Sequence, residues 1–302
     1  MTTYKSKSKC QINEVHNTES SKDRRGEAGG DRRQKKMSGG HKTTMPSSDL
    51  SGKLAVVTGG SRGIGLGIGR RLAADGCDLV LVGRDPVTLL AASESIEGVT
   101  VRVCSADLRT KEGCEKVLRC VDGLSVNILI NNAGATQGGD FLELSDELWE
   151  DGFALKFFGA VRVTRILWPQ LCVSKGTVVN VIGGFARSPD ADFMISGSVN
   201  AAFANFSKAL AGRGLKDDVN VNAVHPGLIV TERLEGLLAQ KAKQTGTTLE
   251  DTKDQWMKKD GIRRLGEAQD VAELVFFLCT PKARHIHGTA IAVDGGATKG
   301  NH

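Results

Sequence analysis

From Ser51 onward, short apolar runs alternate with longer segments whose apolar positions recur every three or four residues. The runs predict strands near 54–58, 78–83, 99–104, 127–131, 176–182, 218–224 and 289–293. The longer segments predict helices near 63–75, 86–96, 110–121, 145–172, 197–213 and 267–279. Runs such as Leu54 to Val57 are apolar at every position, the signature of a strand buried on both faces. Alternation of this kind builds an α/β fold, a doubly wound parallel sheet of about seven strands joined by right-handed crossovers. Ligands of such sheets lie beyond the carboxyl ends of the strands, so function is sought just after each one.

Residues 1–50 break the pattern. They are rich in Lys, Arg, Ser, Gly and Thr and show neither period, so burial cannot offset their ordering entropy and a disordered basic leader is expected. Of 40 Lys/Arg and 35 Asp/Glu in the 302-residue chain, 11 and 6 fall in this leader, so the whole net charge of +5 sits there. The remainder is neutral, which speaks against nucleic acid as a partner of the body. No apolar run reaches the ~18 residues of a membrane span. The seven cysteines, Cys10, Cys77, Cys104, Cys114, Cys120, Cys172 and Cys279, include no C-x-x-C pair, so reduced thiols, a cytoplasmic location and no metal are expected.

The first strand runs into Thr58-Gly-Gly-Ser-Arg-Gly-Ile-Gly65, and a helix follows. Glycines there let the backbone turn sharply and approach a ligand, and the free N–H groups at the helix start favour phosphate. The spacing Gly59-x3-Gly63-x-Gly65 departs from both common phosphate-loop fingerprints, and a glycine-rich turn alone is equally a structural loop. After the second strand stands Arg84, where a carboxylate would select a ribose 2′-hydroxyl and an arginine a 2′-phosphate. With Arg62 in the turn, it favours NADP(H), against two ordinary surface arginines. Asp107 and Leu108 follow the third strand, placed to hold an adenine, and Asn131-Asn-Ala-Gly134 follows the fourth.

The turn, Asn131 to Gly134, His225-Pro-Gly-Leu-Ile-Val-Thr231 and Gly288-Thr-Ala-Ile-Ala-Val-Asp-Gly-Gly296 together resemble the short-chain dehydrogenase/reductase family, near its 3-oxoacyl-carrier-protein reductase branch. The resemblance covers about residues 50–298 in order. It implies a single Rossmann-type domain over residues 51–302, a nicotinamide cofactor, and a homodimer or homotetramer. It assigns the cofactor to Gly59, Ser61, Arg62, Ile64, Gly65, Arg84, Asp107, Leu108, Asn132, Ala133, Gly134, Pro226, Gly227, Ile229 and Thr231. His225 falls where the family tolerates many residues.

The family's catalytic Asn, Ser and Tyr-x-x-x-Lys are all replaced. Lys156 stands at the Asn position, Gly183 at the Ser, Ser196 at the Tyr and Asn200 at the Lys. The one tyrosine of the chain is Tyr4, so a tyrosine acid is absent from the folded part. Trp149, Phe153, Lys156, Ala160 and Val163 follow three- and four-residue steps along one helix face, which places Lys156 on the face packed against the sheet. A cation there is costly unless it lines a cavity or is paired. Either it projects into the site, replacing the missing lysine charge, or it snorkels to solvent or is paired structurally. The catalytic candidates are Lys156, Ser196 and Asn200; Ser188, Asp190, Asp192 and Ser198 are further polar groups near the mouth.

Between 228 and 260, Leu234, Leu237, Leu238, Trp256 and Met257 alternate with charges, as in an amphipathic lid over a substrate with an apolar portion. Three functions fit these residues. The first is an NADP(H)-dependent oxidoreductase acting on a carbonyl or secondary alcohol with a non-standard site. The second is a non-redox lyase, isomerase or hydrolase built around Lys156. The third is an inactive NADP(H)-binding or partner subunit, marked by a cleft filled by Phe157, Phe185 or Met194.

Overall fold

The computed structural model describes residues 50–300. The expected basic leader lies outside them except for its last residue. Leu50 belongs to the folded body: its side chain is fully buried in the core and its amide donates to Asp75 Oδ2 at 3.2 Å.

Seven parallel strands form one sheet in the order β3-β2-β1-β4-β5-β6-β7. They are β1 (Leu54–Thr58), β2 (Asp78–Gly83), β3 (Val101–Ser105), β4 (Ile128–Asn131), β5 (Thr177–Val181), β6 (Asn220–Pro226) and β7 (Ala290–Val293). All five residues of β1 are buried, Ala55 and Val57 facing one core and Leu54 and Val56 the other, because successive side chains leave a strand on opposite faces. The first core is completed by α1 (Gly63–Ala73), α2 (Pro86–Glu94) and α9 (Ala268–Cys279) through Ile68, Leu89 and Val275. The second is completed by α3 (Lys111–Cys120), α5 (Gly159–Val173) and α6 (Met194–Asp217) through Val117, Leu167 and Ala211. The strand order reverses between β1 and β4, which opens a crevice at their carboxyl ends.

Three expected elements differ. The single helix over 145–172 is α4 (Asp146–Gly152), a π-helical turn over Phe153–Phe158 and then α5. The apolar spacing runs on through the break, so periodicity does not reveal it, and wide turns of this kind are frequent at functional sites. The helix expected over 197–213 is longer, α6, because buried Ile195 carries it through the weak formers Ser196-Gly-Ser198. It stops where Asp218 turns left-handed at φ 56°, so β6 begins at Asn220.

The lid is two helices, α7 (Glu232–Thr245) and α8 (Leu249–Asp260), started by the hydroxyls of Thr231 and Thr248 and ended by Gly246 and Gly261 at φ 68° and 69°. Leu234 and Leu238 pack with Ile262 and Leu265 into a small core of their own, against which Trp256 and Met257 lie. These side chains are therefore occupied with one another rather than turned to a substrate. No helix among the described residues is long and apolar enough to cross a membrane.

Candidate functional site

A cleft of about 1250 Å³ opens at the carboxyl ends of the strands, running from the glycine turn to the lid. The turn is shaped by close approach. Gly59 has φ 66°, and a Cβ on Gly65 would stand 2.1 Å from the Gly59 carbonyl oxygen. Asn132, the residue after β4, locks the arrangement, its Nδ2 donating to the carbonyls of Thr58 and Gly59 at 3.1 and 3.2 Å. The Thr58 hydroxyl accepts from the amides of Asn132 and Ala133 at 2.9 and 3.1 Å. Gly59, Gly63 and Ile64 line the cleft, and no side chain caps the start of α1. Free amides, glycines without Cβ and a helix start together fit a dinucleotide's phosphates.

Ser61, Arg62 and Arg84 line the same end. Arg84 is set by its carbonyl, which accepts from Ser105 Oγ at 2.9 Å. Arg62 pairs with Glu232 on α7 at 3.2 Å, both largely exposed. The neighbouring Asp85 also lines the cleft, but its carboxylate accepts from the amides of Val87 and Thr88 at 3.1 and 3.3 Å and starts α2.

Of the remaining expected cofactor residues, Leu108, Ala133, Gly134, Pro226, Gly227 and Thr231 line the cleft, while Gly65, Asp107 and Ile229 do not. Gly65 acts by leaving room for Gly59. Asp107 is held by Arg109, whose Nη2 donates to it at 2.9 Å, and this hydrogen bond keeps its carboxyl below the usual range. Ile229 is buried and bridges to Gly266. Gly227 comes so near Asp294 that a Cβ would stand 2.8 Å from that side chain's own Cβ.

At the other end, Lys156, Ser196 and Asn200 line the cleft together, although they come from the π turn and from α6. The Lys156 stem lies against Gly134, where a Cβ would stand 2.8 Å from its Cγ and Cδ, and its Nζ donates to the Ile182 carbonyl. Burial and, after it, the nearby positive charge of Arg233 lower the Lys156 pKa to about 7. Asn200 is buried with its Oδ1 unpartnered, and its Nδ2 stands 2.9 Å from where a Cβ on Gly183 would be. Asn200 thus fills space that a side chain at 183 would need, and Gly183 can lie there only at φ 138°.

His225 is buried in β6 and outside the cleft lining; its Nδ1 donates to Gly183 O at 2.8 Å, and burial lowers its pKa. Beneath the floor, Asn131 Nδ2 donates to Thr164 Oγ1 and Asn180 Oδ1, each at 2.9 Å, and Asn180 Nδ2 donates to Ser207 Oγ at 3.0 Å. These bonds tie β4, β5, α5 and α6 together.

Ser188 and Asp190 line the mouth, while Asp192 pairs with Lys241 and Ser198 is exposed on α6 outside the lining. Lys259 of α8 holds Asp190 at 2.7 Å, joining the lid to the loop before α6. Phe185 lines one wall stacked on Phe193 at 4.8 Å; Phe157 packs with Phe206, and neither Phe157 nor Met194 enters the cleft.

Arg233 also lines the cleft, and no motif in the sequence marks it. From the first turn of α7 its Nη2 donates to Thr136 O at 2.9 Å and its Nη1 to Gly134 O at 3.3 Å, which brings its charge over Lys156. In a lid with so many charged residues, nothing in the spacing sets this one apart.

A family model described as short chain dehydrogenase matches residues 53–242. A 3-oxoacyl-acyl-carrier-protein reductase of Aquifex aeolicus is 30% identical over 255 residues, covering 82% of this chain and 98% of that protein. An uncharacterized oxidoreductase of Bacillus subtilis, YvaG, is 27% identical over 263 residues, covering 83% and 98%. Among solved structures, L-sorbose reductase from Gluconobacter frateurii, complexed with NADPH and L-sorbose, superposes with a TM-score of 0.80 at 32% identity, covering 84% of this chain and 99% of that one.

Proposed function

The chain belongs to the short-chain dehydrogenase family, and from that premise we propose that it is an NADP(H)-dependent oxidoreductase of a carbonyl or secondary alcohol, working without the family's tyrosine. The observation that carries this reading is that one open cleft holds both the glycine turn and the trio Lys156, Ser196 and Asn200. An NADPH-bound relative of the same fold supports the nucleotide, as do Arg84 and the diversion of Asp85 into a helix cap.

The nucleotide, bound along the turn, would supply hydride. The chain's own part is to orient the carbonyl and manage one proton. Lys156 Nζ is held at the Ile182 carbonyl and carries a proton that it can release near neutrality, so it is assigned the donor's role that the tyrosine lacks here. Ser196 offers a hydroxyl in the same cleft, and Asn200 stands against Gly183 with an amide in place of a charge. Phe185, with the part of Leu228 that the lid core leaves uncovered, gives the apolar part of a substrate its surface. A homodimer or homotetramer in the cytoplasm accords with the family resemblance.

A second reading, non-redox chemistry on the same fold, is favoured by the same lysine, because an amine with a pKa near 7 is partly unprotonated and nucleophilic. Titration with NADPH and NADH, followed by a panel of ketones and aldehydes, tests the first reading. Tight NADPH binding with oxidation of it by at least one carbonyl supports it. Binding without turnover anywhere, together with borohydride trapping of a carbonyl on Lys156, replaces it with the second.

A further inference from the structure

Lys156 and Arg233 stand close together in the cleft, and neither has a carboxylate partner among the described residues. Their hydrogen bonds go only to Ile182, Gly134 and Thr136 oxygens, which leaves both charges uncompensated.

Acids are present in the lining, but none of them pairs with Lys156 or Arg233. Asp85 starts α2 and Glu232 pairs with Arg62. Asp190 pairs with Lys259, and Asp294 accepts from the amides of Gly296 and Thr298 at 2.9 Å each. Asp260 lies among Lys259, Lys299, Asp190 and Asp294, and its pKa is raised, burial being the main cause. Arg233 is exposed at the mouth while the Lys156 pKa is pushed down by burial, so the cost of two neighbouring cations falls mainly on Lys156, and a bound anion reduces it.

Location separates this pair from the phosphate cradle. The cradle is the turn from Gly59 to Gly65 at the start of α1, whereas Arg233 is fastened to the loop after β4, on the residue against which Lys156 packs. Arg233 also presents a planar fork of donors, suited to the two oxygens of a carboxylate.

We propose that Arg233 and Lys156 form a carboxylate-binding pair and that the substrate is an oxo acid or hydroxy acid, its acid group on Arg233 and its reacting carbon beside Lys156. This deepens the oxidoreductase reading and rests on it for the reacting carbon, but the anion pair itself can be tested without turnover.

The test is calorimetric titration of the full chain, with and without NADPH, using 2-oxohexanoate, 4-oxopentanoate and the methyl ester of each. A charge-assisted bond corresponds to roughly ten- to hundredfold in affinity. The expected result is at least tenfold tighter binding of one acid than of its ester. Arg233→Met should abolish that preference, Arg233→Lys should retain part of it, and both should keep NADPH affinity within threefold. Equal binding of acids and esters, or a preference that survives in Arg233→Met, overturns the proposal. So does a tenfold loss of NADPH affinity in Arg233→Met, which would assign the guanidinium to the nucleotide. If the wild type binds no NADPH, the oxidoreductase reading fails, while the acid and ester titrations still decide the anion pair.

Discussion

Gly183 and Asn200 compete for the same room: a Cβ on Gly183 would lie 2.9 Å from Asn200 Nδ2. The two positions are therefore coupled, and a serine placed at 183 alone should not be accommodated without strain. The added Cβ meets two obstacles. The Asn200 amide is the movable end of a side chain, but φ 138° is a conformation that residues other than glycine occupy at a cost of roughly 1–3 kcal/mol. Gly183→Ser should lower the melting temperature by several degrees, taking roughly 2–4 °C per kcal/mol for a domain of this size. Adding Asn200→Ala should recover only the steric part. Full recovery in the double variant would show that backbone conformation contributes nothing.

Lys156 should make both stability and turnover depend on pH. Its pKa is lowered from 10.5 to about 7 by burial and then by Arg233 from α7; His225 of β6, whose pKa is lowered mainly by its own burial, also feels the Lys156 charge. The folded protein binds this proton less tightly than the unfolded chain, so the charged lysine costs stability fully below about pH 7, and the cost is gone above about 10.5. Lys156→Met should therefore be stabilised relative to the wild type most at pH 6 and least at pH 10, as melting curves at the two values would show. Carbonyl reduction by the wild type should fall as pH rises through about 7, and that limb should be missing from the residual rate of Lys156→Met.

The sheet was legible because its strands are buried on both faces, so that β1, β2, β4 and β5 read as apolar runs whatever the helices do. The glycine turn was legible for a related reason: the space that Gly59 and Gly65 leave is a property of residue type. What stayed hidden depends on conformations that the local sequence does not encode. The π turn over Phe153–Phe158 interrupts no apolar repeat, yet it carries Lys156 to the cleft. Leu50 looked like the end of a polar tail because a single apolar residue has no period, and only the fold supplies its buried partners. Arg233 reaches Gly134 across 99 positions of sequence, a pairing that no spacing rule anticipates.

Two glycine substitutions should separate room from conformation. In Gly65→Ala the new Cβ meets the Gly59 backbone at 2.1 Å, and backbone on that side cannot swing away as a side chain could. A loss of about 1–3 kcal/mol is expected, with nucleotide binding abolished because the turn must open. Gly212→Ala, exposed on α6 with nothing within 4 Å of the new Cβ, should instead gain roughly 0.5–1 kcal/mol through helix propensity alone. Denaturant unfolding of both variants checks the pair, and equal losses in the two would contradict the steric account.

Nucleotide preference should reside in Arg84 more than in Arg62. Both line the cleft, but Arg62 is shared with Glu232, whereas Arg84 forms no ion pair among the described residues and its backbone carbonyl is held by Ser105. A 2′-phosphate on Arg84 would gain charge-assisted hydrogen bonds worth roughly 1.5–3 kcal/mol, and a 2′-hydroxyl would not. Arg84→Ala should thus weaken NADPH binding by about 10- to 100-fold and leave NADH within about threefold. Glu232→Gln, which frees Arg62 from an exposed pair worth only about 0–1 kcal/mol, should change NADPH affinity by less than about fivefold. Fluorescence titration of each variant with both nucleotides makes the comparison. Should Arg84→Ala weaken both nucleotides alike, Arg84 would be holding a group common to them, and the 2′-phosphate would have to be read by Arg62.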